Sequence, residues 1–221
     1  MRKIIIAIDG HSGTGKSSTA KIVSEKLNYT YIDSGAMYRA VTNHFLDKNV
    51  DLTDAQNIER ILQNIHIKFH EGKTYLNGQN VEDVIRSMAV SQSVSQVAAI
   101  SAVRVKLVQL QRKLGEEKGV IMDGRDIGTV VFPEADLKLF MTADIDIRVE
   151  RRKNQLFKKG IKENFDDIKR NFIKRDEIDT NRKDSPLIRA EDAIEIDTTN
   201  LSLKDQINNI VKLAEDIIYE N

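Results

Sequence analysis

In the stretch Lys3 to Ile8 the residues from Ile4 onward form a continuous apolar, mostly β-branched run, the pattern of a strand buried on both faces of a parallel sheet. A glycine-rich stretch follows, and from Lys16 apolar residues return at Ala20, Val23 and Leu27, the spacing of a helix. The order repeats at once, with a short strand at Tyr29–Ile32, a turn at Asp33-Ser34-Gly35 and a helix over Ala36–Leu46. Ile65, Ile67 and Phe69 then alternate with polar residues, and Thr74–Leu76 with the dipeptide Asn77-Gly78 predict a β-hairpin with a tight turn. Val94, Val97, Ala98, Val105 and Val108 lie on a roughly helical stripe that predicts one long helix over Ser91–Leu114, ended by Gly115. Val120–Met122, Leu137–Met141 and Ala193–Ile196 read as three more buried strands. Asp144 is placed to cap a helix running through Arg152, and Ser202 with Asp205 forms a capping box for the last helix.

Strands alternating with helices specify an α/β fold built on a mostly parallel sheet covered on both sides, with ligands at the carboxyl ends of the strands. A chain of 221 residues fits one such domain with small insertions. Lys plus Arg equals Asp plus Glu at 34 each, so no global field draws the protein to nucleic acid or an anionic membrane, and any anion site is local. Only 5% of residues are aromatic, too few for the stacking platforms of single-strand binders. There is no cysteine, which excludes disulfides and thiol chemistry and fits a reducing compartment; cytoplasm is the expectation. The opening apolar run is too short for a signal peptide or a membrane span. A monomer is expected because no long exposed apolar stripe remains once the helices are assigned to the core.

Gly10-His11-Ser12-Gly13-Thr14-Gly15-Lys16-Ser17, followed by Ser18, matches G-x-x-x-x-G-K-[ST] at a strand-to-helix junction. In that context glycines let backbone N–H groups wrap phosphates, Lys16 reaches the β and γ oxygens, and Ser17 offers a hydroxyl to Mg²⁺. Asp123, just after the third buried strand, is the candidate second group at the metal. Ser34 and Arg39 put a hydroxyl and a guanidinium at a helix start, suited to a second phosphate-bearing ligand. Arg125, Arg148, Arg151, Arg152, Arg175 and Arg182 are either solvated helical faces or cations converging on a transferring phosphoryl group. His66 and His70 share a polar strand face with Lys68 and lack a third ligand, so no metal is expected there.

With these motifs in order, the chain resembles the bacterial cytidylate kinase family over nearly its whole length. The resemblance rests on the phosphate loop, Tyr31–Arg39 (YIDSGAMYR), Ser95–Ala99 (SQVAA) with Arg104, Asp123–Pro133 (DGRDIGTVVFP) and Arg175–Arg182 (RDEIDTNR). It implies a P-loop kinase fold with a five-stranded parallel sheet, a small β-containing insertion and a helical lid. The implied subregions are a core at about 1–33, 87–147 and 165–221, a nucleoside-monophosphate region at about 34–86, and a lid at about 148–164. The implied reaction is ATP-dependent phosphorylation of CMP and dCMP, with Mg²⁺. By similarity Ser95, Arg104 and Asp126 contact cytosine, and Ser34 helps hold the monophosphate. Arg39, Arg125 and Arg182 bind its phosphate, while Arg175 and Asp179 hold the sugar. Lys16, Arg125, Arg182, Arg148 and Arg151 neutralise charge during transfer. Ile178 and Thr180 stand where the family often carries more charge. Three alternatives stay open from the residues alone: a monophosphate kinase for UMP or AMP, a nucleotide-dependent switch, and a nucleic-acid module. The switch is disfavoured because no N-K-x-D guanine-reading motif is present.

Overall fold

A computed structural model describes residues 2–158 and 160–219; Lys159, inside the expected lid, lies outside them, as do Met1, Glu220 and Asn221 at the ends of the expected domain. The apolar run near the start forms β1 (Ile5–Gly10), followed by α1 (Lys16–Leu27). The second strand-loop-helix unit is β2 (Thr30–Asp33) and α2 (Ser34–Asp47). Then come α3 (Ala55–Gln63), β3 (Ile67–His70), β4 (Lys73–Leu76) and β5 (Gln79–Asn80). The chain continues through α4 (Met88–Ala98), α5 (Ser101–Leu114), β6 (Val120–Gly124) and β7 (Leu137–Thr142). It ends in α6 (Ile145–Phe157), α7 (Phe165–Asn181), β8 (Ile194–Asp197) and α8 (Leu203–Tyr219).

The expected sheet is present, with five strands in the order β2-β6-β1-β7-β8. Ile6 of β1 lies opposite Ile121 of β6 on one side and Leu137 of β7 on the other, all parallel, so the central strand is apolar on both faces. That arrangement explains the unbroken β-branched run: a strand covered on both sides has no solvent face to mark with polar residues. The crossovers return every strand in the same direction, so Gly10, Gly124 and Asp197 all fall at carboxyl ends, where the expected ligand site belongs.

Packing gathers the chain into two units, one comprising the residues up to Tyr31 and from Gly115 onward, the other Ile32–Leu114. Residues 87–114, expected with the core, thus pack with the residues of the monophosphate region. The first unit has a core of Ile4, Ile6, Ile8, Val23, Leu139, Ile210 and their neighbours. The second has its own, around Met37, Val41, Phe45, Ile85 and Leu107.

Three local expectations are corrected. The long helix over Ser91–Leu114 is two helices, because the backbone tightens at Ala99 and Ile100, whose N–H groups bond back to Gln96 and Val97. The guanidinium of Arg104 then takes the exposed end of α4, its Nη1 donating to the Ala98 carbonyl at 3.1 Å. The expected hairpin is three-stranded: β3 and β4 join through Glu71-Gly72, and β4 and β5 through Asn77-Gly78. Both dipeptides have positive φ at each residue, the requirement of a tight hairpin turn. Asp144 precedes α6 without a side-chain cap bond; its backbone N–H goes instead to the Thr199 hydroxyl at 3.0 Å. The box at Ser202 does form, with the Asp205 N–H donating to Ser202 Oγ and that hydroxyl donating to the Asp205 carboxylate.

Candidate active site

The first unit is built around the loop between β1 and α1. Gly10 has φ of 141°, and a Cβ there would stand 2.1 Å from the Met141 carbonyl oxygen of β7, so only glycine fits. Gly13, at φ of 79°, is pressed by Phe172 and Arg148, which brings α6 and α7 onto the loop. Lys16 is buried and donates to the His11 carbonyl at 2.6 Å and to Thr14 Oγ1 at 3.3 Å. Burial, reinforced by the Arg125 charge, pulls the Lys16 ammonium down to about 7 despite Asp123, Asp9 and Asp176.

Ser17 Oγ donates to Asp123 Oδ2 at 2.8 Å, and Tyr31 donates to the other oxygen at 2.8 Å. The two expected metal groups are therefore together. The Ser17 proton points at the carboxylate, so its lone pairs are what it offers a cation, with Asp123 behind it to bind through water. This fits Mg²⁺, which keeps several waters and takes few protein ligands. Among the described residues no group of three or more His, Cys, Asp or Glu could hold a metal by itself.

Four expected cations meet carboxylates of α7, and one of them also Asp126 just after β6, in this unit. Arg125 donates through Nε to Asp179 at 2.9 Å and through Nη2 to Ser12 Oγ at 2.7 Å. Burial opposes its charge, but Asp179, Asp176 and Asp123 more than offset it and hold its ionisation above the ordinary range. Arg148 Nη1 donates to Asp176 at 2.6 Å and to the Ser12 carbonyl at 3.2 Å. Arg182 lies 3.7 Å from both Asp126 and Asp179 and donates to the Ser185 carbonyl. Arg175 is buried; burial and the nearby Arg125 charge pull its guanidinium down to about 10, with Asp179 and Asp176 compensating only in part. The Nε atoms of Arg148 and Arg175 have no hydrogen-bond partner among the described residues. Buried cations in this state favour an anionic ligand rich in acceptor oxygens.

Arg151 is turned to the back of the loop. It donates to the Thr198 hydroxyl and carbonyl at 3.0 and 2.5 Å, and Thr198 in turn donates to the Thr14 carbonyl. Arg152 bonds Gln155 on its own helix. Ser18 is exposed at the start of α1.

The second unit carries Ser34, Arg39, Ser95 and Arg104. Ser34 opens α2 and is buried, while Asp33 caps that helix by accepting the Ala36 N–H at 2.8 Å. Arg39 is half-buried one turn along. Ser95 is buried in α4, and Arg104 of α5 lies with its guanidinium 5.3 Å from the Tyr38 ring centroid, a cation over an aromatic face. Arg86, which the sequence did not single out, donates to both Asp33 and Glu82 and so braces the start of α2. In the first unit the sequence also missed Asp9 and Asp176. Asp9 had one visible signal, its place immediately before Gly10; Asp176 had its place beside Arg175.

The cytidylate kinase family model matches residues 6–216. Proteins named cytidylate kinase are similar throughout. One from Cytophaga hutchinsonii is 50% identical over 220 residues, covering 97% of this chain and 94% of its own. One from Fusobacterium nucleatum is 46% identical over 217 residues, covering 98% and 100%. Among solved structures, a shikimate kinase from Bacteroides thetaiotaomicron superposes with a TM-score of 0.50 at 12% identity, covering 97% of this chain and 99% of that one. At that identity the likeness speaks for the fold alone.

Proposed function

The chain belongs to the cytidylate kinase family and catalyses ATP-dependent phosphorylation of CMP and dCMP, and we propose that it does so by direct in-line transfer between nucleotides bound through the residues above. ATP takes the loop Gly10–Ser17, with Lys16 at its β and γ oxygens. A phosphate oxygen of CMP attacks the γ phosphorus as its bond to the β,γ-bridging oxygen breaks and ADP leaves, and Arg125, Arg148 and Arg182 spread the charge that develops on the equatorial oxygens. Ser17 and Asp123 would hold Mg²⁺, which supplies further charge neutralisation at the β and γ oxygens.

The observation that carries this reading is the buried cation cluster. Lys16 and Arg175 are held below their ordinary ionisation ranges, and two guanidinium Nε atoms are without partners among the described residues. Phosphate oxygens satisfy both at once. Arg151, engaged with Thr198, serves better to brace the loop than to touch phosphate.

For the acceptor, Asp126 supplies a carboxylate to the cytosine amino group, and Ser95 and Arg104 supply donors to its acceptor atoms. Ser34 and Arg39 hold the monophosphate, and Arg175 with Asp179 the sugar. Uracil presents a carbonyl where cytosine presents the amino group, which leaves a buried carboxylate unpaired at about 1–3 kcal/mol, a factor of roughly 5 to 150. The test is kcat/KM for CMP and UMP in the parent and in Asp126→Ala. A preference for CMP that collapses in the variant supports the reading, and an unchanged preference removes Asp126 from base recognition.

A cytoplasmic monomer completes the proposal. No helix among the described residues is long and apolar enough to cross a membrane. Exposed apolar side chains such as Val84, Val105 and Tyr219 are scattered over separate elements. Sedimentation as a dimer at low concentration would overturn the monomer.

A further inference from the structure

Asp9 is a buried carboxylate with no part in the chemistry described so far. It is the penultimate residue of β1, directly before Gly10, and is 5% exposed. Its two oxygens are both taken by backbone of one short segment: Oδ1 accepts the Ile127 N–H at 2.8 Å and Oδ2 the Gly128 N–H at 2.7 Å. These are the first two N–H groups after Asp126. The segment is closed from its other side as well, because the Asp126 carbonyl accepts the N–H groups of Val130 and Val131 at 2.9 and 3.1 Å. Ile127 in turn accepts the Phe132 N–H at 2.7 Å. Asp126 therefore sits at the mouth of one wide turn whose first two amides are gripped by Asp9.

The fit is close. A Cβ added to Gly128 would stand 3.2 Å from Lys138 Cδ and 3.5 Å from Asp9 Oδ2, so the turn is packed against both side chains and a methyl group there would have to displace the Lys138 stem. Burial pushes the Asp9 carboxyl up to about 7, and the Gly128 and Ile127 N–H groups are the largest influences holding it down. A carboxylate in this position is expensive in free energy, yet two adjacent amide donors are a geometry that both oxygens of one carboxylate meet and a single carbonyl does not.

We propose that Asp9 is a positioning residue for Asp126: it fixes the backbone that carries the base-reading carboxylate, and so sets the preference for cytosine over uracil from the end of the strand that delivers the phosphate loop. This rests on Asp126 reading the base. Asp9 itself touches no substrate. Loosening the clamp would let the Asp126 carboxylate move, and the penalty for uracil falls once that carboxylate can turn away.

The test compares Asp9→Asn, Gly128→Ala and Asp126→Ala by steady-state kinetics with CMP and UMP, and by amide hydrogen exchange. Asp9→Asn keeps the shape and one acceptor but turns an amino group towards one of the two donors. Gly128→Ala crowds the same turn, its Cβ meeting Lys138 Cδ at 3.2 Å, and keeps the Asp9 carboxylate in the chain, so it reports even if Asp9→Asn fails to fold. Both are expected to raise KM for CMP by about five-fold or more, with kcat changed less, and to lower the CMP:UMP ratio of kcat/KM towards that of Asp126→Ala. Exchange at Ile127 and Gly128 should accelerate in Asp9→Asn. The double variant Asp9→Asn with Asp126→Ala should keep the ratio of Asp126→Ala alone, because the clamp acts through that side chain. If Asp126→Ala collapses the ratio while Asp9→Asn and Gly128→Ala leave it within about two-fold of the parent, the clamp is overturned and the base reading stands. If Asp126→Ala leaves the ratio intact, the base reading itself fails and the proposal falls with it.

Discussion

Lys16 is the residue on which pH acts most directly. Burial and Arg125 hold its ammonium at about 7, and the phosphates of ATP would supply negative charge that raises it. Binding ATP at pH 8 should therefore take up a proton, seen as a dependence of the calorimetric binding enthalpy on buffer ionisation enthalpy. Lys16→Met should abolish that uptake. The sign on stability follows from the same shift: between about 7 and its ordinary value of 10.5 the unfolded chain binds the extra proton, so this group stabilises the fold as pH rises through that window. Asp9 acts in the opposite sense. Its folded pKa is raised from 3.8 to about 7, so its contribution is present below 3.8 and is lost as pH rises to about 7. Urea titrations from pH 5 to 9 should show Asp9→Asn and Lys16→Met each removing one of these opposed slopes. At the metal, Asp123→Asn keeps an acceptor for Ser17 but loses its charge, and the apparent Mg²⁺ affinity should fall by about 10- to 100-fold in a magnesium titration of activity. Lys16, Ser17 and Asp123 could be singled out from the sequence because they stand at or just past the carboxyl ends of strands, Lys16 and Ser17 after the β1 loop and Asp123 at the carboxyl end of β6. Asp9 and Asp176 were not, because their meaning lies in partners 118 residues or more (Ile127 and Gly128) and 28 residues (Arg148) away in the chain.

At the scale of elements, the strand-loop-helix units were read correctly because the buried parallel strands carry no polar alternation and end in turn residues. The break between α4 and α5 was not. Val94, Val97, Val105 and Val108 keep a helical rhythm across it, and neither glycine nor proline marks Ala99 and Ile100. α4 ends where the backbone tightens at Ala99 and Ile100, and a side chain from the next helix, Arg104, closes that end by bonding the Ala98 carbonyl. Periodicity cannot register such a tertiary cap. Arg104→Met, which retains the stem over Tyr38, should leave that carbonyl short of a donor and cost about 1–3 kcal/mol. In a chain of this size that is a fall of very roughly 2 to 12 °C in melting temperature, read by calorimetry. The third strand of the β insertion escaped notice for a different reason. β5 is two polar residues, Gln79 and Asn80, and its pairing is dictated by the Asn77-Gly78 turn, with no hydrophobic face of its own.

On the scale of the whole molecule, the neutral charge balance forces specificity into local clusters. The buried cations around the phosphate loop are matched by carboxylates of α7 and by Asp126 after β6, which hold the site together. The residues expected to hold CMP come from motifs far apart in the chain, from Ser34 to Arg182, which is why the motifs had to be read as an ordered set. A kinase of this design must also avoid passing the phosphoryl group to water, so ATP turnover without an acceptor should be lower than with CMP by well over about 100-fold. The most direct measurement is the initial rate of ADP release from ATP and Mg²⁺ with CMP, dCMP, UMP or AMP supplied separately at one subsaturating concentration. CMP and dCMP are expected to be fastest, with UMP slower by about 5- to 150-fold and AMP no faster than buffer. Equal rates with CMP and UMP, or the fastest rate with AMP, would contradict it.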